Sequence, residues 1–203
     1  MSHSQSPLQT PVAKLIVLTL LHVCVDFYGG LLLPLADPTL MNHLSVKLVG
    51  VMVIISSSAM LVNVIQPFAG AFLPKQGLPV LLLICPLMAA AAALIGLSSD
   101  YYVVWAMLIV SALGIGLLHP EAALAVQNLG AAKAGMATSI FMSGGFFGFS
   151  MGALVAGWWG QEMGLKWFWL LVVPGALLAA LTVPVGLTRE HARSRHDQVE
   201  VRG

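Results

Sequence analysis

The sequence has very few charged residues for its length. Only 8% of its 203 residues are Asp, Glu, Lys or Arg, whereas 59% are hydrophobic. Ordinary soluble domains carry about 25% charged residues, and a soluble core of this size cannot bury so much apolar surface. A soluble domain is therefore excluded. The net charge of +1 gives no reason to expect a nucleic-acid partner, and we expect none.

Cysteine is also scarce, and the zinc-protease pattern His-Glu-x-x-His is missing. The two cysteines, Cys24 and Cys85, lie inside apolar runs, which is typical of small buried side chains rather than of a disulfide or a metal pair. We therefore expect no enzyme activity, no cofactor and no resident metal. The first apolar run contains His22 and Asp26 and no small-residue cleavage site follows it, so it does not resemble a secretory signal.

Six apolar runs are long enough for membrane-spanning helices, which need about 20 predominantly apolar residues. Short breaks of turn or polar residues separate them, such as Pro74-Lys75-Gln76-Gly77 and Ser98-Ser99-Asp100. We therefore predict an all-α integral membrane domain over residues 1–188. Its six transmembrane helices are expected at about 12–35, 46–73, 77–98, 101–127, 135–159 and 167–188.

The basic residues indicate the orientation of these helices. If the N-terminus is cytoplasmic, only Lys47 and Lys166 lie outside, and the seven other basic residues lie inside: Lys14, Lys75, Lys133, Arg189, Arg193, Arg195 and Arg202. Cytoplasmic segments of membrane proteins are enriched in Lys and Arg. We predict a multi-pass protein of the bacterial inner membrane with both termini in the cytoplasm. The charged segment 189–203 is predicted to be a disordered cytoplasmic tail.

Four ionisable residues lie inside the predicted spans, where such groups are costly and are functional candidates by default. His22 and Asp26 are four residues apart in the first span and share one helical face. His119 and Glu121 flank Pro120 in the fourth span, where the proline removes a backbone hydrogen bond and favours a kink. We predict a proton-coupling or substrate-binding role for His22, Asp26, His119 and Glu121.

Uncharged polar residues and glycines form two further patterns. Asn63 and Gln66 make a smaller polar site in the second span, and hydrogen bonding to neighbouring helices is the simpler interpretation of it. Small residues repeated every four positions let two helices approach closely. We therefore interpret four glycines of the fifth span as helix-packing residues: Gly144, Gly145, Gly148 and Gly152.

Several stretches together resemble a known family. They are His22 to Pro34, Ile65 to Gly70, Leu118 to Ala123 and Gly135 to Gly148, and they include the runs His-Pro-Glu-Ala and Ser-x-Phe-x-x-Gly-Gly. The sequence resembles the N-terminal six-helix half of the major facilitator superfamily, most closely its fosmidomycin-resistance-type efflux branch. Two departures stand out. The loop after the second helix lacks the acidic residue usual there, and Phe149 and Ala153 replace the proline and glycine usual in proton antiporters.

The resemblance implies a 3+3 inverted repeat and proton-coupled efflux of a small molecule. Relatives with this pattern have twelve helices in two halves, with the substrate site between the halves. This chain supplies one half. It is expected to act in the lipid membrane as a parallel homodimer, as a heterodimer with a second half, or as a fragment of a twelve-helix protein.

Two other functions remain open at the level of the sequence. Two copies of His22, Asp26, His119 and Glu121 provide enough imidazoles and carboxylates for a divalent ion, so the cargo of the transporter is alternatively a metal ion or a metal chelate. The second alternative is a membrane subunit or scaffold that transports nothing.

Overall fold

The structure is a computed structural model and describes residues 9–74, 77–129 and 134–188. Within these ranges the chain forms helices and no strand, which confirms the predicted all-α fold. The predicted tail 189–203, and with it four of the basic residues used for the orientation, lies outside the described residues. Lys75 and Lys133 lie outside them as well.

The helices follow the six predicted runs in order. The first run contains α1 (Pro11–Gly30), a 3-10 turn (Leu33–Leu35), a π turn (Ala36–Leu40) and α2 (Met41–Leu44). The second to sixth runs contain α3 (Leu48–Phe72), α4 (Leu81–Ala89) with a 3-10 segment (Ala90–Leu97), α5 (Tyr101–Gln127), α6 (Ala134–Glu162), and a 3-10 segment (Leu165–Leu171) with α7 (Val172–Leu181). The first run thus continues beyond residue 35 to Leu44, and the sixth ends at Leu181 rather than at 188.

Local sequence explains where the two helices that carry the site begin. The Thr10 hydroxyl accepts a hydrogen bond from Ala13 N–H at 3.2 Å, and Pro11 occupies the first turn of α1. Asp100 accepts hydrogen bonds from Tyr102 N–H and Val103 N–H, both at 2.9 Å, at the start of α5. Both side chains satisfy backbone donors that have no partner inside the helix.

Among the described residues, four helical segments are long and apolar enough to cross a membrane, namely Pro11–Leu44, Leu48–Phe72, Tyr101–Gln127 and Gly135–Glu162. The third and sixth spans are shorter apolar helices. The third consists of 9 α-helical and 8 3-10 residues, which together reach about 29 Å because a 3-10 helix rises about 2.0 Å per residue and an α-helix about 1.5 Å.

The same residues in continuous α-helix would reach only about 26 Å, short of the hydrocarbon core of about 30 Å. The sixth span has 7 3-10 and 10 α-helical residues and gains length in the same way. Its 3-10 half packs against the 3-10 half of the third span, where Gly96 makes room for the Leu165 carbonyl. The two short spans are therefore stretched to membrane thickness at one end.

α1 and α6 form the closest helix pair. A side chain at Gly148 would meet the Val23 carbonyl of α1, and one at Gly152 would meet the Phe27 carbonyl. Gly144 lies against the Thr19 methyl group, so these three predicted packing glycines lie on the α1 side of α6. α1 also contacts α4, α5 and α7, which places it at the centre of the bundle.

The hydroxyl of Tyr28 joins α1 to the sixth span and supplies a first prediction. Tyr28 is fully buried; its O–H donates to the Leu171 carbonyl at 2.7 Å and accepts from Gly175 N–H at 3.1 Å. Tyr28→Phe is expected to lower the free energy of unfolding by about 1–3 kcal/mol, since it leaves both groups without this partner away from water. Denaturant unfolding in lipid measures the change.

Tyr101→Phe is the matched control for this prediction. The Tyr101 hydroxyl donates one hydrogen bond, to the Gly50 carbonyl at 3.0 Å, at a partly buried position. Its loss is expected to cost about 1 kcal/mol or less. If Tyr28→Phe unfolds no more easily than Tyr101→Phe, the hydroxyl of Tyr28 does not secure the sixth span.

Candidate functional site

Three of the four predicted ionisable residues meet in one cluster between α1 and α5. Asp26 lies between two imidazoles, with Oδ2 3.2 Å from His22 Nε2 and Oδ1 3.1 Å from His119 Nε2. His22 is 2% exposed, and Asp26 and His119 are each 19% exposed. The two imidazole rings are nearly perpendicular, with centroids 4.9 Å apart. We call these three residues the Asp26 cluster.

Backbone carbonyls fix the orientation of both imidazoles. His22 Nδ1 lies 2.8 Å from the Phe141 carbonyl oxygen, and His119 Nδ1 lies 2.6 Å from the Ile115 carbonyl oxygen. A carbonyl oxygen only accepts hydrogen bonds, so each Nδ1 carries a proton and donates it. Each Nε2 therefore faces the Asp26 carboxyl group, and each contact is a hydrogen bond only if a further proton lies in it.

The net charge of the Asp26 cluster and the number of its hydrogen bonds depend on how many protons the two Nε2–Asp26 contacts share. Two shared protons make both Nε2–Asp26 contacts hydrogen bonds and give the cluster a net charge of +1. With one shared proton the cluster is neutral, but one Nε2 lone pair then faces a carboxylate lone pair at about 3 Å. Of the two contacts, the one with His119 joins α1 to α5, whereas His22 and Asp26 both belong to α1. Loss of the proton in the His119–Asp26 contact therefore removes an attraction that holds the two helices together.

α6 provides the third side of the Asp26 cluster. The Phe141 ring stacks on the His22 ring with centroids 4.1 Å apart and an angle of 22°. A side chain at Gly145 would place its Cβ 2.5 Å from Asp26 Oδ2 and 2.5 Å from His22 Nε2. Gly145 was interpreted as a packing glycine, but it faces the cluster. Phe141 was not predicted as a site residue, although it belongs to the Ser-x-Phe-x-x-Gly-Gly run.

Glu121 does not join the Asp26 cluster. It is 3% exposed, and its Oε2 accepts a hydrogen bond from Leu78 N–H at 2.7 Å, in the turn before α4. A Cβ at Gly77, whose φ is +81°, would lie 2.7 Å from Glu121 Oε1, so only glycine suits this turn in both conformation and space. The side chain of Glu121 thus connects α5 to the loop between the second and third spans.

A cavity of about 690 Å³ lies beside the Asp26 cluster, with walls from α1, α3, α5 and α6. Asp26 and His119 are part of its wall, as are Asn63 and Gln66, the predicted smaller polar site. Asn63 donates a hydrogen bond to Ala59 O of its own helix at 3.0 Å rather than to a neighbouring helix. Most of the remaining lining is apolar.

The cavity is open between α3 and α6. Phe146 and Phe149 of α6 line it and are 73% and 52% exposed. On the opposite wall Ser56 and Asn63 of α3 are exposed as well. Asn63 lies within the helical span Leu48–Phe72, where lipid offers an amide no hydrogen-bond partner, so water or protein is needed on this side.

The Asp26 cluster also has the ligand chemistry of a divalent-metal site. Its His22, Asp26 and His119 ligand atoms lie within 4.8 Å of one another. Ligands of a tetrahedral zinc ion are about 3.3 Å apart, close to the two Nε2–carboxylate distances. Metal-binding histidines commonly donate the other ring N–H to a carbonyl, as both do here. Three ligands leave a fourth position for water or a bound molecule.

One further sequence pattern has no catalytic meaning in this fold. Gly148-Phe149-Ser150-Met151-Gly152 fits the Gly-x-Ser-x-Gly pattern of hydrolases, which requires a sharp turn between a strand and a helix. Ser150 instead lies inside α6, and its hydroxyl donates to the Phe146 carbonyl at 2.9 Å. The pattern therefore provides no nucleophile.

The profile of one known protein family matches most of this chain. The sequence profile of the Major Facilitator Superfamily matches residues 18–202. The chain belongs to the major facilitator superfamily. No curated protein matches the chain.

Membership of the major facilitator superfamily confirms the predicted half of that fold and makes the chain a multi-pass membrane protein of a transporter family. The match is to the superfamily as a whole, so the efflux branch stays a prediction. In this superfamily the substrate site lies between two six-helix halves.

Proposed function

We propose that the chain is one half of a proton-coupled secondary transporter that exports a small molecule and works as a parallel dimer. The observation that supports this most is the Asp26 cluster on the wall of a cavity that is open on one side. An ionisable group inside a span is expensive, and its presence beside a substrate-sized cavity favours a transport role over a packing role.

In the proposed mechanism the shared proton controls how tightly α1 and α5 are held together. Proton binding completes both Nε2–carboxyl hydrogen bonds and joins His119 of α5 to Asp26 of α1. Proton release from the His119–Asp26 contact leaves it without a hydrogen bond, which favours separation of the two helices and entry of water or substrate. Efflux is the direction that the family resemblance favours.

A parallel dimer would complete the cavity. A two-fold axis along the membrane normal brings the open side of one cavity to the open side of the other. Exposed Phe146 and Asn63 would then be covered by protein or enclosed water instead of lipid. A second half from another chain would cover these residues equally well. The homodimer is the form to test first because two-fold symmetry is the commonest closed symmetry of oligomers.

Proton movement by purified protein in vesicles tests this function. Vesicles with a trapped pH dye and an imposed pH difference are expected to lose that difference faster when they contain the protein and the transported compound. The compound is first identified in cells that express the chain and are grown with each member of a panel of antibiotics and dyes. The compound to which expression gives the largest gain in tolerance is then used in the vesicles. A non-transporting subunit or scaffold would give neither the tolerance nor the proton movement.

A divalent metal ion or chelate is the second candidate cargo, and the His22–Asp26–His119 geometry favours it specifically. Zinc is expected to bind the purified protein in isothermal titration, and His22→Gln is expected to weaken that binding at least about tenfold, because loss of an outer-shell partner alone already costs about 10–100-fold in metal affinity. Zinc uptake into vesicles that His22→Gln abolishes would make the metal the cargo. Binding that His22→Gln leaves unchanged contradicts this candidate.

The proposed orientation gives a further prediction. We expect both termini in the cytoplasm of a bacterial cell and the chain in its inner membrane, because the basic residues concentrate on one side of the spans. Reporter fusions after residue 203 and after Ser99 are expected to report opposite compartments. A reporter after residue 203 that is active outside the cytoplasm contradicts the orientation.

A further inference from the structure

The Asp26 cluster contacts one face of α6. This face has no role in the transport mechanism proposed above. Phe141 and Gly145 are four residues apart and therefore lie on the same face of this helix. Phe141 is 1% exposed, and both residues contact the His22 side chain. Their neighbours Gly144 and Gly148 instead face the α1 backbone and its small side chains.

We propose that Phe141 and Gly145 are positioning residues of the Asp26 cluster, which hold His22 in one tautomer with Nε2 directed at Asp26. This inference rests on the proposed coupling role of the cluster. The Phe141 carbonyl accepts the Nδ1 proton of His22 at 2.8 Å, so the tautomer with hydrogen on Nε2 alone would lose this bond. The Phe141 ring fixes the plane of the imidazole by stacking on it at 4.1 Å.

Gly145 provides the space in which His22 and Asp26 meet. A methyl group there would lie 2.5 Å from three atoms of the cluster, His22 Cε1, His22 Nε2 and Asp26 Oδ2. Non-bonded carbon and heavy atoms do not approach so closely, so the contact between His22 and Asp26 would have to open. The Phe141 ring covers one face of the imidazole, so the imidazole cannot turn to make room without losing its stacking contact.

Because these contacts cross from α1 to α6, they connect the cavity to the Asp26 cluster. α6 carries Phe146 and Phe149 on the cavity wall, about one and two turns after Phe141, and Gly145 lines the cavity as well. A molecule in the cavity that displaces α6 would move the Phe141 carbonyl away from His22. The groups that face His22 are Asp26 of its own helix, His119 of α5, and Phe141 and Gly145 of α6.

Nitrogen NMR of histidine tests the proposal without requiring transport. The full chain is labelled with 15N-histidine, placed in lipid, and the His22 signals are identified by their loss in His22→Gln. Wild-type protein is expected to show His22 with hydrogen on Nδ1. Gly145→Ala is expected to lose this signal and to show a different His22 protonation pattern. The signals of His43, which contacts the Ile95 and Ser98 carbonyls instead of the cluster, are expected to stay unchanged.

Gly144→Ala is the matched control, one residue away on the same helix. Its Cβ would lie 2.7 Å from the Thr19 methyl group and 3.3 Å from a Val23 methyl group, so it crowds α1 without touching the cluster. It is expected to keep the wild-type His22 signal. An unchanged His22 signal in Gly145→Ala, or an equal change in Gly144→Ala, would overturn the positioning role.

Phe141→Leu covers the case in which Gly145→Ala does not fold. It keeps the backbone carbonyl and most of the apolar volume but removes the stacked ring, so the His22 signal is expected to broaden or shift while the protein stays folded. A sharp wild-type signal in Phe141→Leu overturns the role of the ring. If these NMR changes occur but wild-type vesicles move no protons, the positioning role stands and the proposed coupling fails.

Discussion

Asp26→Asn is expected to abolish proton-driven accumulation of the transported compound while leaving the protein folded. Asparagine has nearly the shape of aspartate, and its neutral amide costs less to bury than a charge. The amide still offers a hydrogen-bond donor to one imidazole, but it has no negative charge to stabilise an added proton in either Nε2 contact. The Asp26 cluster then loses the change in proton number that the proposed mechanism needs.

The size of this effect follows from the driving force. A difference of one pH unit drives about a tenfold accumulation when one proton is exchanged for each molecule, because 1.36 kcal/mol corresponds to a factor of ten. In vesicles with such a difference, wild-type protein is expected to approach this ratio and Asp26→Asn is expected to stay near one. Exchange of labelled for unlabelled compound without a pH difference is expected to continue in Asp26→Asn.

Glu121→Gln is the matched control, because it neutralises the other buried carboxyl group. The glutamine oxygen still accepts the hydrogen bond from Leu78 N–H, and Glu121 lies outside the Asp26 cluster. Proton-driven accumulation is expected to remain. Wild-type accumulation by Asp26→Asn would remove Asp26 from the coupling mechanism, and its loss in both variants would assign coupling to both carboxyl groups.

Cross-linking is expected to show two chains joined across the cavity. Ser56→Cys places a thiol on the exposed cavity wall of α3, and Leu177→Cys places one on α7, where the side chain is 65% exposed and does not line the cavity. The native Cys24 and Cys85 are buried, so they are expected to react slowly. Neither position is in the core, so both variants are expected to preserve the fold.

A bifunctional maleimide is expected to convert most of Ser56→Cys to a dimer of about 43 kDa, twice 21.4 kDa, and little of Leu177→Cys. The reaction is done in native membranes at low expression, so that random collision contributes little. A monomer in lipid that transports at the wild-type rate contradicts the dimer. Cross-linking to a chain of another mass would instead identify a heterodimer.

Helical periodicity predicted part of the Asp26 cluster but not its third member. The spacing of His22 and Asp26 placed them on one face, as found. His119 reaches them only because α1 packs against α5, and no spacing within one helix contains that information. Glu121 was grouped with His119 because they are close in sequence. Two residues along a helix correspond to a rotation of about 200°, so the spacing of His119 and Glu121 already placed their side chains on nearly opposite faces of α5.

The same reasoning applies to α6 and to the short spans. Gly144 and Gly145 are about 100° apart on the helix, so one faces the α1 side chains and the other faces the Asp26 cluster. The run Ser-x-Phe-x-x-Gly-Gly was recognised, but the contact of Phe141 with His22 depends on the close approach of two helices. The 3-10 halves of the third and sixth spans were not predicted, because apolarity alone does not distinguish the two helix types.

Substrate-driven proton movement is the most direct test of proton coupling through the Asp26 cluster. Vesicles that contain wild-type protein and a trapped pH dye start with equal pH on both sides, and the transported compound is then added outside. If the two movements are coupled, entry of the compound drives protons out through the same protein, so the interior becomes more alkaline, and Asp26→Asn shows no such change. Entry of the compound with no change of internal pH in wild-type vesicles would contradict coupled exchange.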